Sequence, residues 1–162
     1  MNFKEIFDEE IKNKNGMYLN YTVVEQSNYF LLGLVKLIYL LPKEENRQDE
    51  NHWKGEVISS LRFLLSEFGG VKSKDELLSK FYEQLPSCLI KINKKISKDY
   101  SNLIKYITEE QLKTVADKFF PLLVDWLFNS FIDIRKCSTV NEKNIKVNNC
   151  CKEFINKITE EI

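Results

Sequence analysis

Apolar residues recur at intervals of three and four along most of the chain, with polar residues between them. This spacing predicts amphipathic helices, because an α-helix repeats about every 3.6 residues and buries one face. Nowhere do apolar and polar residues alternate over a stretch of six, as a half-buried strand requires. The pattern predicts an all-α, single-domain bundle of about seven helices over residues 1–162, with segments near 3–11, 22–41, 57–68, 77–82, 89–107, 112–134 and 151–162.

Residues that favour helix ends support these segments. Ser73 with Glu76, and Thr108 with Gln111, have the spacing of capping boxes. In such a box each side chain satisfies a backbone N–H of the other residue at the start of a helix. Pro121 leaves two alternatives open, since it either kinks one long helix or begins a new one.

Two segments, Tyr29–Leu41 and Leu122–Ile134, are apolar around nearly their whole circumference. They are therefore predicted to be the two central helices. Gly33 lies in the first segment and predicts that a second helix approaches closely there. That segment is 13 residues long and contains Lys36, whereas a membrane span needs about 20 apolar residues. The sequence thus predicts a buried helix and no membrane partner.

The overall charge narrows the classes of partner. Lys and Arg together number 24, and Asp and Glu together also number 24, so the formal net charge is zero. Nucleic acids and anionic membranes attract proteins with a basic excess, so the composition disfavours both. The chain begins with an amphipathic pattern and shows no apolar leader, which predicts a cytoplasmic protein.

The cysteines and the histidine disfavour a metal centre. The four cysteines form no CxxC pair, and the chain has one histidine, so we predict no metal site and no cofactor. Cys88 and Cys151 fall on apolar helix positions and are predicted to be buried. Cys137 and Cys150 are predicted to be exposed.

Common catalytic signatures, such as a glycine-rich phosphate loop, GxSxG or HExxH, do not occur in the sequence. One candidate catalytic pair remains, Arg47 and His52, which are separated by four residues. This spacing resembles the short motif of the HEPN ribonucleases, which are helical bundles of similar length. The resemblance covers these six residues and implies that Arg47 and His52 act on the scissile phosphate, usually across a dimer. Gln48 departs from the family, where a small polar or charged residue is commoner, and the alternative is a solvated histidine.

A run of lysines follows the polar face of the segment near 89–107. Its members are Lys91, Lys94, Lys95, Lys98 and Lys105. They would suit a phosphate backbone, as in a helical subunit of a ribonucleoprotein. No aromatic residues interleave with them to stack bases, and neighbouring acidic residues dilute their charge. A solvated bundle face is the simpler interpretation.

Two polar segments, 42–53 and 135–148, are predicted to be solvated loops. The first carries an acidic group and ends in a tryptophan, a residue type enriched in protein interfaces. We predict a non-enzymatic protein-binding function, such as a bacterial toxin-immunity protein or an inhibitor of a defence system, with a toxin or nuclease as the partner. The predicted contact residues are Glu44, Glu45, Asp49, Glu50 and Trp53. Alternatively, Trp53 packs across the start of the next helix.

Overall fold

Six α-helices make up most of the part of the chain that the structure describes. The computed structural model describes residues 18–43, 50–67 and 73–162, with side chains from residue 26 onward except that of Glu67. The helices are α1 (Tyr18–Val35), α2 (Glu50–Glu67), α3 (Lys74–Glu83), α4 (Leu85–Asp99), α5 (Glu109–Arg135) and α6 (Val140–Glu161). No strand occurs in these ranges, so the predicted all-α class is confirmed. The helix predicted near residues 3–11 lies outside the described residues.

The core is one continuous cluster of buried apolar side chains to which all six helices contribute. Both segments predicted to be central belong to it: the first is buried around most of its circumference, whereas the second has exposed residues along one side. Tyr29 in the first segment and Ile132 in the second are each about half exposed. The apolar character of a segment thus predicted its membership of the core but not how much of its circumference is covered.

Helices α1 and α2 form the most extensive helix pair, and Gly33 explains how closely they approach. A Cβ atom built on Gly33 would lie 2.5 Å from Cγ2 of Val57 on α2. Only a residue without a side chain permits this contact. The close approach predicted from Gly33 is therefore confirmed. A π-helical turn at Lys36–Leu40 and a 3-10 turn at Leu41–Lys43 then end this part of the chain.

Helix α5 runs through Pro121 without ending. Of the two alternatives that Pro121 left open, a new helix beginning there is therefore wrong. The start of α5 is the predicted capping box: the Thr108 side chain accepts from the backbone N–H of Gln111, and the Gln111 side chain accepts from that of Thr108. Ser73 likewise accepts from the backbone N–H of Glu76 at the start of α3.

The segment predicted as a helix near 89–107 is helical only as far as Asp99. Asn93 explains the difference, because its side chain pairs with the backbone of Ile107 in both directions. Its amide nitrogen donates to the Ile107 carbonyl at 3.0 Å, and its oxygen accepts from the Ile107 N–H at 2.7 Å. These bonds fold the apolar residues after Asp99 back along α4 as a linker.

Both predicted polar loops are shorter than predicted, since α2 begins at Glu50 and α6 begins at Val140. The residues that begin α6 are polar because they are exposed, not because they are irregular. Thr139 caps this helix by accepting from the backbone N–H of Glu142. The spacing of Thr139 and Glu142 is itself a capping signature, and its presence could have corrected the prediction.

Three of the four cysteines are buried. Cys88 and Cys151 are buried as predicted, but Cys150 is also buried, so its predicted exposure was wrong. The reason is Trp126, whose ring nitrogen donates to the Cys150 carbonyl at 3.1 Å and covers this turn of α6. Among the described helices, none is long and apolar enough to cross a membrane.

Candidate partner-binding groove

An open groove of about 800 Å³ follows the outer surface of α1. We call it the α1 groove. Its floor is formed by Gln26, Tyr29 and Leu32 of α1 and by Lys36 of the π-helical turn that follows. One side is a face of α2, formed by His52, Gly55, Glu56, Ser59, Ser60 and Phe63, and Lys95 of α4 stands on the other side.

The middle of the α2 side of the groove carries small residues. Gly55 and Ser59 are one helical turn apart and face outward, whereas Val57 and Leu61 on the opposite face are fully buried. A Cβ atom built on Gly55 would meet nothing within 4 Å. Small residues at this spacing leave room for another backbone to approach the helix.

A charged cluster crosses the groove at one end. Lys36 is only 3% exposed at its side chain, and its ammonium donates to Oε2 of Glu56 at 2.7 Å. The other oxygen of Glu56 lies 3.3 Å from Nε2 of His52. A buried lysine is costly unless it is paired. Glu56 therefore stabilises Lys36 and links it to a histidine at the solvent edge.

Two aromatic rings support this charged cluster from below. The Lys36 ammonium lies 5.3 Å from the centroid of the Tyr100 ring, where the negative face of the ring attracts a cation. Trp53 meets the same ring edge-on, with centroids 6.0 Å apart and planes at 84°. Trp53 is 2% exposed. Its ring therefore supports the groove from inside the core.

Two other aromatic side chains stand exposed along the groove. Tyr29 is 53% exposed on the floor, and Phe63 is 41% exposed at the end of the α2 side. Single exposed apolar residues are ordinary on protein surfaces. Two aromatic rings that line one groove instead resemble the apolar anchors of a binding surface.

A smaller cleft of about 290 Å³ continues the groove between α1 and α4. Tyr29, Leu32 and Lys95 line both spaces, and Lys91 lines the cleft. Lys95 donates to Asp99 at 2.7 Å. This hydrogen bond raises the pKa of Lys95 and lowers the pKa of the Asp99 carboxyl, so both groups stay charged near neutrality.

The residues predicted from the sequence are only partly brought together here. His52 lies in the first turn of α2, 69% exposed at its side chain, while Arg47 lies outside the described residues. Glu44, Glu45 and Asp49 also lie outside them. Glu50 begins α2 and pairs with Lys54 at 3.2 Å. The predicted contacts of these acidic residues with a partner stay a prediction.

Sequence reasoning missed the groove because its residues are far apart in the chain. A signal was nevertheless present, since Lys36 interrupts an apolar helix and must find an anion there. Gly33 predicted a neighbouring helix, and Glu56 is one residue from Val57, which touches Gly33. Tyr29 and Phe63 carried no such signal, because exposed and buried aromatic residues look alike in a sequence.

The other chemically distinctive groups of the described part of the chain are buried thiols. Burial raises the pKa of Cys88 and of Cys151 to about 12, so both stay protonated and weakly nucleophilic. No cluster of three or more metal-ligating residues occurs among the described residues. The α1 groove combines apolar surface, two exposed rings and charges of both signs, an arrangement suited to recognition of another molecule.

Comparison of the chain with protein-family models, with curated proteins and with solved structures finds no match.

Proposed function

We propose that this chain is a non-enzymatic protein-binding module whose binding surface is the α1 groove. The class we favour is an inhibitor that neutralises another protein, such as a toxin-immunity protein or an inhibitor of a defence system. The observation that carries the proposal is the pair of exposed rings, Tyr29 and Phe63, along a groove of about 800 Å³. Burying such rings at an interface typically supplies much of the binding free energy.

The charged cluster suits this role because it gives the groove specificity. Glu56 holds Lys36 within the helices, while His52 stands at the edge where a partner would meet it. A partner with mismatched charges would leave these groups unpaired on binding, which is costly. The cluster thus selects between partners, and the two rings supply affinity.

Affinity capture from the native host tests the proposal. The wild-type chain is expected to retain one protein in stoichiometric amount, and Tyr29→Glu and Phe63→Glu are each expected to lose it. Tyr106→Glu is the matched control, because Tyr106 is 60% exposed on the linker after α4 and does not line the groove. With the purified partner, the groove variants should raise Kd at least about tenfold. Equal capture by all four chains, or capture of nothing, contradicts the proposal.

The acidic residues that precede or begin α2 supply a separate part of the proposal. Glu44, Glu45, Asp49 and Glu50 lie just before the groove residue His52 in the chain. Acidic residues on an inhibitor speed encounter with a basic partner such as a nuclease. The double charge reversal Asp49→Lys with Glu50→Lys is therefore expected to slow association, most at low salt. An unchanged association rate would remove these residues from the contact surface.

Ribonuclease activity is the second candidate, favoured by the position of His52 on a groove that also holds Lys36 and Lys95. In this case Arg47 and His52 act on the scissile phosphate, as the resemblance to the HEPN ribonucleases implies. Purified chain should then cleave RNA, and His52→Ala should abolish the cleavage. Cleavage that persists in His52→Ala identifies a contaminating nuclease and removes this candidate.

A further inference from the structure

The groove is long enough to take about three turns of one helix. Its α2 side extends from His52 to Phe63, a rise of about 16 Å or three helical turns. The small residues Gly55 and Ser59 lie between these two ends, where the backbone of a third helix would need room. Amphipathic helices bind such grooves through apolar anchors one turn apart.

The rim on the α4 side carries a row of basic residues, of which Lys95 lines the groove itself. Lys91, Lys94, Lys95 and Lys98 are spaced three, one and three residues apart and are all exposed, so they share one face of α4. Lys91 and Lys95 touch the cleft that continues the groove. Asp99 is the acidic residue paired with this row, through Lys95. An occupant that lies on α1 therefore meets positive charge along one flank.

We infer that the α1 groove binds an acidic amphipathic helix of the partner protein. This helix lies on α1, places its apolar residues against Tyr29 and Phe63, and turns its carboxylates toward the lysine row of α4. The inference rests on the proposed function and deepens it by naming the chemistry of the element that is bound.

Charge also separates a protein helix from single-stranded RNA as the occupant. RNA would use the same lysines and could stack on Tyr29. The Glu56 carboxylate, however, lies within the groove, 38% exposed at its side chain, and would face the phosphates. The formal net charge of the chain is also zero, which gives no long-range attraction for a polyanion. Both observations favour a helix with a single acidic flank.

Two labelled helical peptides of about 18 residues test the inference. They share one leucine stripe and differ in carrying Glu or Lys on the adjacent flank; an oligouridylate of about 20 nucleotides is the third probe. Fluorescence anisotropy with the full chain is expected to detect binding of the Glu peptide. The affinity should fall about tenfold between about 50 and 300 mM salt. The Lys peptide should bind at least about tenfold more weakly.

Variants connect the binding to the groove and to the lysine row. The double variant Lys91→Glu with Lys95→Glu should weaken binding of the Glu peptide at least about tenfold, whereas Lys113→Glu on α5 should leave it unchanged. Gly55→Leu should block binding by filling the groove, and Ser79→Leu, an exposed position on α3, is its control. Thermal unfolding of each variant confirms that the fold is kept.

The outcomes also separate this inference from the proposed function. Equal binding of the two peptides, or tighter binding of oligouridylate through Lys91 and Lys95, overturns the inference. The inference is also overturned if the Glu peptide binds only after residues 2–16 have been deleted, because the full chain would then not bind the peptide at this site. If the host partner is captured through Tyr29 and Phe63 while the Glu peptide does not bind, the proposed function stands and the inference is wrong.

Discussion

The helix pairs α1–α2 and α5–α6 pack in different ways, and we call them the open pair and the closed pair. Between α5 and α6 the contact is filled by aromatic rings. Trp126 stacks on Phe154 with centroids 4.7 Å apart and planes at 7°, and Phe30 of α1 continues the stack at 6.4 Å. Between α1 and α2 the inner contact is close at Gly33, but the outer side stays open as the α1 groove.

The difference separates residues that stabilise the fold from residues available for binding. Phe154 is 3% exposed, whereas Phe63, on the open pair, is 41% exposed. The closed pair holds its polar groups in internal hydrogen bonds, as Trp126 does with the Cys150 carbonyl. The open pair places a charged cluster where a partner could reach it.

The largest expected effect compares the phenylalanines of the two pairs. Phe154→Ala removes a buried ring that stacks on two others, so it should lower the free energy of unfolding by about 3–5 kcal/mol. Phe63→Ala should change it by no more than about 0.5 kcal/mol. Urea unfolding followed by circular dichroism measures both. Similar losses for the two variants would mean that Phe63 stabilises the fold as Phe154 does, and that the groove is part of the core.

The closed pair was the easier one to predict from the sequence. The spacing of apolar residues predicted a helix near 151–162 with Phe154 on its apolar stripe, and the apolar segment Leu122–Ile134 includes Trp126. For the open pair, Gly33 predicted only that a second helix approaches closely. These predictions depend on local patterns that a single helix displays. The all-α class, the capping box at Thr108 and the burial of Cys88 and Cys151 were predictable for the same reason.

The candidate site was not predictable in this way, because tertiary contacts form it. The pairing of Asn93 with Ile107 ends α4 early and brings Tyr100 beneath Lys36. No residue spacing within one helix indicates that arrangement. The polarity of residues 42–53 also predicted that the candidate contact residues lie in a loop, whereas Trp53 lies on α2 and is buried.

The ion pair of the open side gives the next effect. Glu56→Gln leaves the Lys36 ammonium buried without its anion, which should lower the free energy of unfolding by about 1–3 kcal/mol. Lys36→Met should be nearly neutral or stabilising, because an apolar side chain of similar length suits the buried site. The double variant should therefore recover most of the loss seen in Glu56→Gln. If Lys36→Met lowers the free energy of unfolding more than Glu56→Gln does, the ion pair of Lys36 with Glu56 itself stabilises the fold.

The two glycines of the open pair give a smaller effect with opposite signs. Gly33→Ala introduces a Cβ that would lie 2.5 Å from the stiff side chain of Val57, so a loss of about 1–2 kcal/mol is expected after the gain in helix propensity. Gly55→Ala meets nothing within 4 Å and should stabilise the protein by about 0.5–1 kcal/mol. Thermal unfolding ranks the two variants. A destabilising Gly55→Ala would show that the outer face of α2 is already covered.

An effect of similar size appears only at alkaline pH. Burial raises the pKa of Cys88 and of Cys151 from 9.0 to about 12. The unfolded chain therefore releases these protons at lower pH than the folded chain does, and the free energy of unfolding should fall as pH rises from about 9 towards 12. Each thiol should contribute about 1 kcal/mol of this fall by pH 10. Cys88→Ala and Cys151→Ala should each flatten the pH profile, whereas Val124→Ala, a change at a buried residue that does not titrate, should keep the wild-type slope.

Cys88 lines the cleft beside the α1 groove, while Cys151 lies on α6 of the closed pair. Equal flattening by the two cysteine variants is expected, because both thiols are fully buried; a weaker effect of Cys88→Ala would show that water enters on the open side.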